Sequence, residues 1–176
     1  MLSSIHTIGH STRSIDEFLE LLRTHAIERL VDIRRYPGSR RFPHFGSAAL
    51  AGSLAAAGVA YDHYADLGGR RRSSSDSPNS GWRNDAFRAY ADYMATPEFR
   101  SAIDRLLTNA PSTAIMCAEA VPWRCHRNLV SDELLRRNIA VHHIIDGTSI
   151  NDHKLNPMAR VEGDHLIYPM DEQLVL

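Results

Sequence analysis

Short apolar or β-branched segments alternating with helix-patterned ones constrain this chain more than any other feature. Ser4 to Ile8, Arg29 to Ile33, Val59 to Tyr64, Thr113 to Met116 and Val141 to Ile145 read as strands. Between them, Ile15, Phe18, Leu19 and Leu22 share one helical face behind Ser14, an N-cap with Glu17 at the capping-box position. Ser47 is placed to cap an Ala-rich helix that stops at Gly58. Helices are expected over Asn84 to Met94 and over Pro97 to Thr108, the second with Thr96 as N-cap. A last helix is expected from about Arg124 or Cys125 to Asn138, a left-handed stop. Repeated strand–helix units predict an α/β fold in three layers, a mainly parallel five-stranded sheet with helices on both faces. Near the C-terminus, Met158 to Glu162 and His165 to Tyr168 flank Gly163-Asp164 and predict a small hairpin.

A chain of 176 residues, 43% of them hydrophobic, buries one good core, so a single domain over 1–176 is expected. No window holds the roughly 18 apolar residues of a membrane helix, and Met1 to His10 lacks a signal peptide's pattern, so no membrane partner and a cytoplasmic location are expected. In a reducing compartment two cysteines eight positions apart are free, metal-bound or reactive. The net charge of −1 supplies no global field toward nucleic acid, so any preference for anions must be local. Of the 20 basic residues only Lys154 is not Arg, which a GC-rich genome would also produce; only clustering of arginines counts as a signal. Oligomeric state is not legible.

In sheets of this kind ligands bind beyond the carboxyl ends of the strands. That rule selects Gly9-His10-Ser11, Asp32 to Arg35, Leu67-Gly68-Gly69 with Arg70 to Arg72, and Cys117 to Arg127. Cys117 follows a strand and precedes a helix whose N-terminus would favour a thiolate, with Arg124, His126 and Arg127 nearby. It is the candidate nucleophile, with Glu119, His10, His126 and Cys125 as the other catalytic candidates. Arg34, Arg124 and Arg127 are candidates for holding an anion, and Asp32 could orient an Arg or a His. Tyr36, Phe42, Phe45 and Trp82 interleave with the arginines and could stack on a base, although aromatics that anchor a loop are commoner. The loop from Asp66 to Gly81 reads as a mobile surface segment and a candidate lid. His142 and His143 lie within a strand and read as structural.

The layout around Cys117 looks like the cysteine loops of rhodaneses and tyrosine phosphatases, although the six residues between Cys117 and Arg124 exceed either spacing. A broader resemblance covers about residues 5–145 and leaves 146–176 as a C-terminal extension. Gly9-His10-Ser11, Asp32 to Ser39, Leu67-Gly68-Gly69, Cys117-Ala118-Glu119 and Cys125-His126-Arg127 together resemble the bacterial domain-of-unknown-function 488 family. The matching positions are His10, Asp32, Arg34, Pro37, Ser39, Gly68, Gly69, Cys117, Glu119, Cys125, His126 and Arg127. The resemblance implies the α/β fold and this site, and it names no reaction.

Three readings stay open. The first is a cysteine-dependent hydrolase or transferase acting on an anionic substrate, such as a nucleotide or nucleic acid, without a cofactor. The second is a non-catalytic nucleotide- or nucleic-acid-binding module. In the third, Cys117, Cys125 and His126 hold zinc or iron, against which the spacing argues.

Overall fold

In a computed structural model, residues 4–108 and 111–170 are described; residues 171–176 of the expected extension lie outside the described residues. The chain runs β1 (Ser4–Gly9), α1 (Ile15–Thr24), β2 (Arg29–Asp32), α2 (Ser47–Ala56), β3 (Ala60–His63), α3 (Asp85–Met94), α4 (Pro97–Leu107), β4 (Thr113–Cys117), α5 (Arg127–Arg136), β5 (Ala140–Ile144) and β6 (Ile150–Asp152). A hairpin of β7 (Arg160–Glu162) and β8 (His165–Ile167) turns at Gly163, whose φ of 60° suits glycine.

The expected three-layer α/β fold is present, but the sheet has six strands rather than five and is mixed, in the order β3-β2-β4-β1-β5-β6 with β6 antiparallel to β5. The chain reverses where Asp146 Oδ1 accepts the backbone N–H groups of Thr148 and Ser149 at 2.8 and 2.7 Å. The three residues of β6 are all exposed and carry no alternation by which a strand could be read. The inner strands are parallel, and β2, β4 and β1 lie side by side as the grouping of their following loops requires.

Alternation along these strands builds two cores. Ile8, Leu30, Ala114, Met116 and Ile144 face α1 and α2, where Phe18, Leu22, Leu50 and Leu54 cover them. Ile5, Val31, Ile33, Ile115 and Val141 face the other way, under Tyr90, Phe99, Ile103, Leu129 and Leu134 of α3 to α5. Ser14 and Glu17 close the capping box on α1, and Thr96 caps α4. Asn138 adopts a φ of 62° after α5, the left-handed stop.

Two helix starts differ from expectation. Gly46, not Ser47, is the N-cap of α2. The last helix begins at Arg127, because Pro122–Arg124 forms a 3-10 turn and Cys125 is extended, with φ −136° and ψ 148°. The loop over 66–81 is anchored at several points. Arg71 stacks over Tyr93 at 3.6 Å and donates to the Gly68 carbonyl at 2.9 Å. Asp92 of α3 accepts from the Ser74 backbone and from the side chains of Ser77 and Asn79, and buried Asn79 in turn accepts the Tyr168 N–H at 2.8 Å. Among the described residues no helix is long and apolar enough to cross a membrane.

Candidate functional site

Beyond the paired strands, the β1 and β4 chains remain in register: His10 N–H donates to the Cys117 carbonyl at 3.0 Å and Ser11 N–H to that of Ala118 at 2.9 Å. This approach is what Gly9 permits, since a Cβ there would lie 1.7 Å from the Glu119 carbonyl oxygen. Gly68 serves the neighbouring loop in the same way, with a Cβ falling 2.6 Å from the Arg35 nitrogen. Both glycines are therefore fixed by backbone crowding at the carboxyl edge of the sheet.

The strand-end loops enclose a crevice of about 830 Å³ lined by His10, Arg34, Ser39, Gly69, Cys117, Glu119, Arg124 and His126, among others. Most of the expected site thus comes together. Asp32 and Arg34 form its most ordered part. Arg34 Nε and Nη2 donate to Asp32 Oδ1 and Oδ2 at 2.9 and 2.6 Å, and Nη2 also reaches the Phe45 carbonyl at 2.8 Å. Tyr61 O–H donates to Asp32 Oδ2 at 2.9 Å. Asp32 is fully buried and does not line the crevice; it holds Arg34 in place.

His10 stacks on Phe45 with centroids 4.4 Å apart. Its Nδ1–H donates to the Ser11 carbonyl at 2.9 Å, which leaves Nε2 to accept from Arg34 Nη1 at 3.3 Å. Burial lowers its pKa to about 4, so the imidazole is neutral near pH 7.

The two cysteines influence one another's ionisation but differ in setting. Cys117 lines the crevice, while Cys125 lies behind it and points its thiol at His126 Nδ1, 3.5 Å away. His126 donates through Nε2 to the Ile33 carbonyl at 3.2 Å, fixing Nδ1 as the acceptor, and burial lowers its pKa to about 4. Burial opposes ionisation of both thiols. At Cys117 the neighbouring Cys125 thiol, the Arg127 charge and the Glu119 backbone outweigh it and bring the pKa below the ordinary value; at Cys125 burial and the nearby Cys117 push it well up.

Arg127 is 1% exposed and stands behind the crevice rather than in its lining. Its Nη2 donates to the Glu119 and Ala120 carbonyls at 2.9 Å each, shaping the loop after Cys117, while Nε and Nη1 have no partner among the described residues. Pro37 and Gly68 also stay out of the lining. The Pro37 carbonyl accepts Ser47 N–H at 3.0 Å, and Ser39 Oγ accepts Phe42 N–H at 2.9 Å.

The lining also includes Arg35, Tyr36, Arg41, Phe42 and Arg70. Of Arg70 to Arg72, only Arg70 lines the crevice. Both ring nitrogens of His126 are engaged, and no group of three or more His, Cys, Asp or Glu among the described residues could hold a metal ion.

No curated protein and no solved structure matches this chain. A family model described as "Domain of unknown function DUF488" matches residues 14–134, a span from α1 into α5 that covers more than half of the sequence and most of the crevice, and the chain belongs to that family.

Proposed function

We propose that the crevice is the active site of a cysteine-dependent hydrolase or transferase acting on an anionic substrate. The observation that carries this is Arg127. It is a buried guanidinium with, among the described residues, two unpaired nitrogens and no ion pair, and its charge acts on Cys117. An uncompensated buried charge is costly, and an ionised Cys117 compensates it. The thiolate then faces a space whose lining carries five arginines, Arg34, Arg35, Arg41, Arg70 and Arg124, against one carboxylate, Glu119. Arg34 is neutralised by Asp32; the other four are available to an anion.

The chemistry that fits is covalent group transfer. Cys117 Sγ bonds the electrophilic atom, the leaving group departs, and an acceptor, water in a hydrolase, takes the group from sulfur and restores the thiolate. Exposed Glu119 at the rim takes the proton that water releases, while neutral His10, its Nε2 accepting from the fixed Arg34, helps wall the site. No cofactor enters this scheme.

Alkylation of Cys117→Ser and Cys125→Ser by a small reagent across pH tests the proposal. Cys117 should react with an apparent pKa below about 8.5 and Cys125 well above it, with inorganic phosphate protecting Cys117. Reaction of Cys117 no faster than Cys125 at pH 7 would overturn it. A second reading, a non-catalytic binding module, draws on the low exposure of Cys117, 1%, and takes over in that event.

A further inference from the structure

We propose that the ligand of this crevice is a nucleoside phosphate, free or as one unit of a single strand, with its base stacked on Tyr36 and its phosphate among Arg35, Arg70 and Arg124. The proposal rests on the anion-binding reading above and specifies the substrate class.

Four aromatic residues interleave with the arginines in the sequence, and the structure sorts them. Trp82 packs against Phe87 and Tyr168 with centroids 5.0 and 5.6 Å away, and Phe45 is buried beneath His10. Phe42 meets His10 edge-on at 6.4 Å and is half-buried. These three hold loops to the core. Tyr36 alone both lines the crevice and remains 63% exposed.

Tyr36 also stands between two cations. The guanidiniums of Arg35 and Arg70 lie 5.8 and 5.7 Å from its ring centroid, and Arg35 Nη1 donates to the Arg70 carbonyl at 3.1 Å, joining the two loops at this point. Arg70 adopts a φ of 58°, a left-handed conformation unfavourable for a residue with a side chain, held where it brings the guanidinium to the rim. Arg124, exposed and lining the same space, makes no side-chain hydrogen bond or ion pair among the described residues. A flat apolar face beside three cations matches a ligand that is flat at one end and anionic at the other. A simple oxyanion would use the arginines and leave the ring idle. A crevice of about 830 Å³ has the size of a site for such a ligand. The −1 net charge of the chain leaves this arrangement as the source of any affinity for nucleotides.

Binding measured by titration calorimetry on the full chain tests the proposal, with four probes: inorganic phosphate, inorganic polyphosphate, thymidine monophosphate and a short oligothymidylate. Thymidine monophosphate should bind more tightly than phosphate. Tyr36→Ala should weaken the two base-containing probes about 5- to 100-fold and leave the two inorganic ones unchanged, while Tyr36→Phe should keep the affinity. A strand that binds more tightly than the monophosphate, with a steep salt dependence, identifies a single strand as the source; equal affinity identifies a free nucleotide. If polyphosphate binds as tightly as the strand and Tyr36→Ala changes nothing, the nucleoside assignment is overturned. Protection of Cys117 by phosphate would then still uphold the anion site, so the two proposals fail separately.

Discussion

Two groups of buried polar side chains on this sheet handle the same problem in different ways. On the side covered by α5, Thr7 O–H donates to His143 Nδ1 at 2.7 Å and His143 Nε2–H to His153 Nδ1 at 3.0 Å. His153 Nε2–H then donates to Asp132 Oδ1 at 2.8 Å. Asp132 also accepts from the Tyr168 hydroxyl at 2.9 Å and from Asn156 N–H at 3.0 Å. Every donor in that chain has an acceptor, and no part of it lines the crevice. It fastens residues 153–168 to α5 and β1. The Asp32–Arg34–His10 group is as thoroughly bonded on its inner side, but its outer side opens on space with free arginines around it. Closed networks of this kind hold a scaffold together, and a network left open on one side, beside a thiol, is where a ligand would complete it.

The sharpest way to break the comparison is at Asp132. Asp132→Ala removes the acceptor for three buried donors and should destabilise the fold by on the order of 3 kcal/mol, read as a shift in the urea midpoint. Phosphate protection of Cys117 in the protein that remains folded should be unaltered. Loss of protection at unchanged stability would show that the closed network belongs to the site.

The next effect comes from pH and involves both groups. Burial lowers the pKa of His10 and His126 to about 4 and that of His143 to about 3, against an unfolded value near 6.5. The unfolded chain therefore binds protons first, and these groups contribute stability that is complete above about pH 6.5 and is lost as pH falls toward 4. Each should add a slope of up to about 1.4 kcal/mol per pH unit within that window. Denaturation midpoints followed from pH 7 to 4 in His143→Gln and His10→Gln should each show a shallower decline than the parent; an unchanged decline would mean that the imidazole is charged in the folded protein.

The smallest effect is at Arg124. Its side chain makes no hydrogen bond or ion pair among the described residues, so Arg124→Ala should alter stability by no more than about 0.5 kcal/mol while weakening phosphate binding at the crevice. A larger loss of stability would move Arg124 from the open group to the scaffold.

Much of this was legible beforehand. The capping box at Ser14 and Glu17, the Thr96 cap, the Asn138 stop and the Gly163 turn are local devices whose residues carry their own reasons. The site segments were legible because strand ends can be read and parallel strands gather their ends on one edge. His142 and His143 were rightly placed within a strand, but nothing local pointed from His143 to Thr7, 136 positions away. The sixth strand was hidden for the opposite reason: Ile150–Asp152 is short and exposed on all three residues.

What the sequence by itself determined is therefore the succession of elements and the set of loops that meet, because both follow from periodicities and caps within a few residues of each position. Only the tertiary structure decided which arginines face the crevice. Arg34 is engaged by a buried Asp32, Arg127 is turned inward, and Arg35, Arg41, Arg70 and Arg124 are left open. The extended backbone at Cys125 delays the helix until Arg127, so that Arg124 stays outside it and Arg127 enters its first turn. Side-chain direction depends on where that backbone changes conformation and on what fills the space beside it, and both are properties of packing between segments distant in the chain.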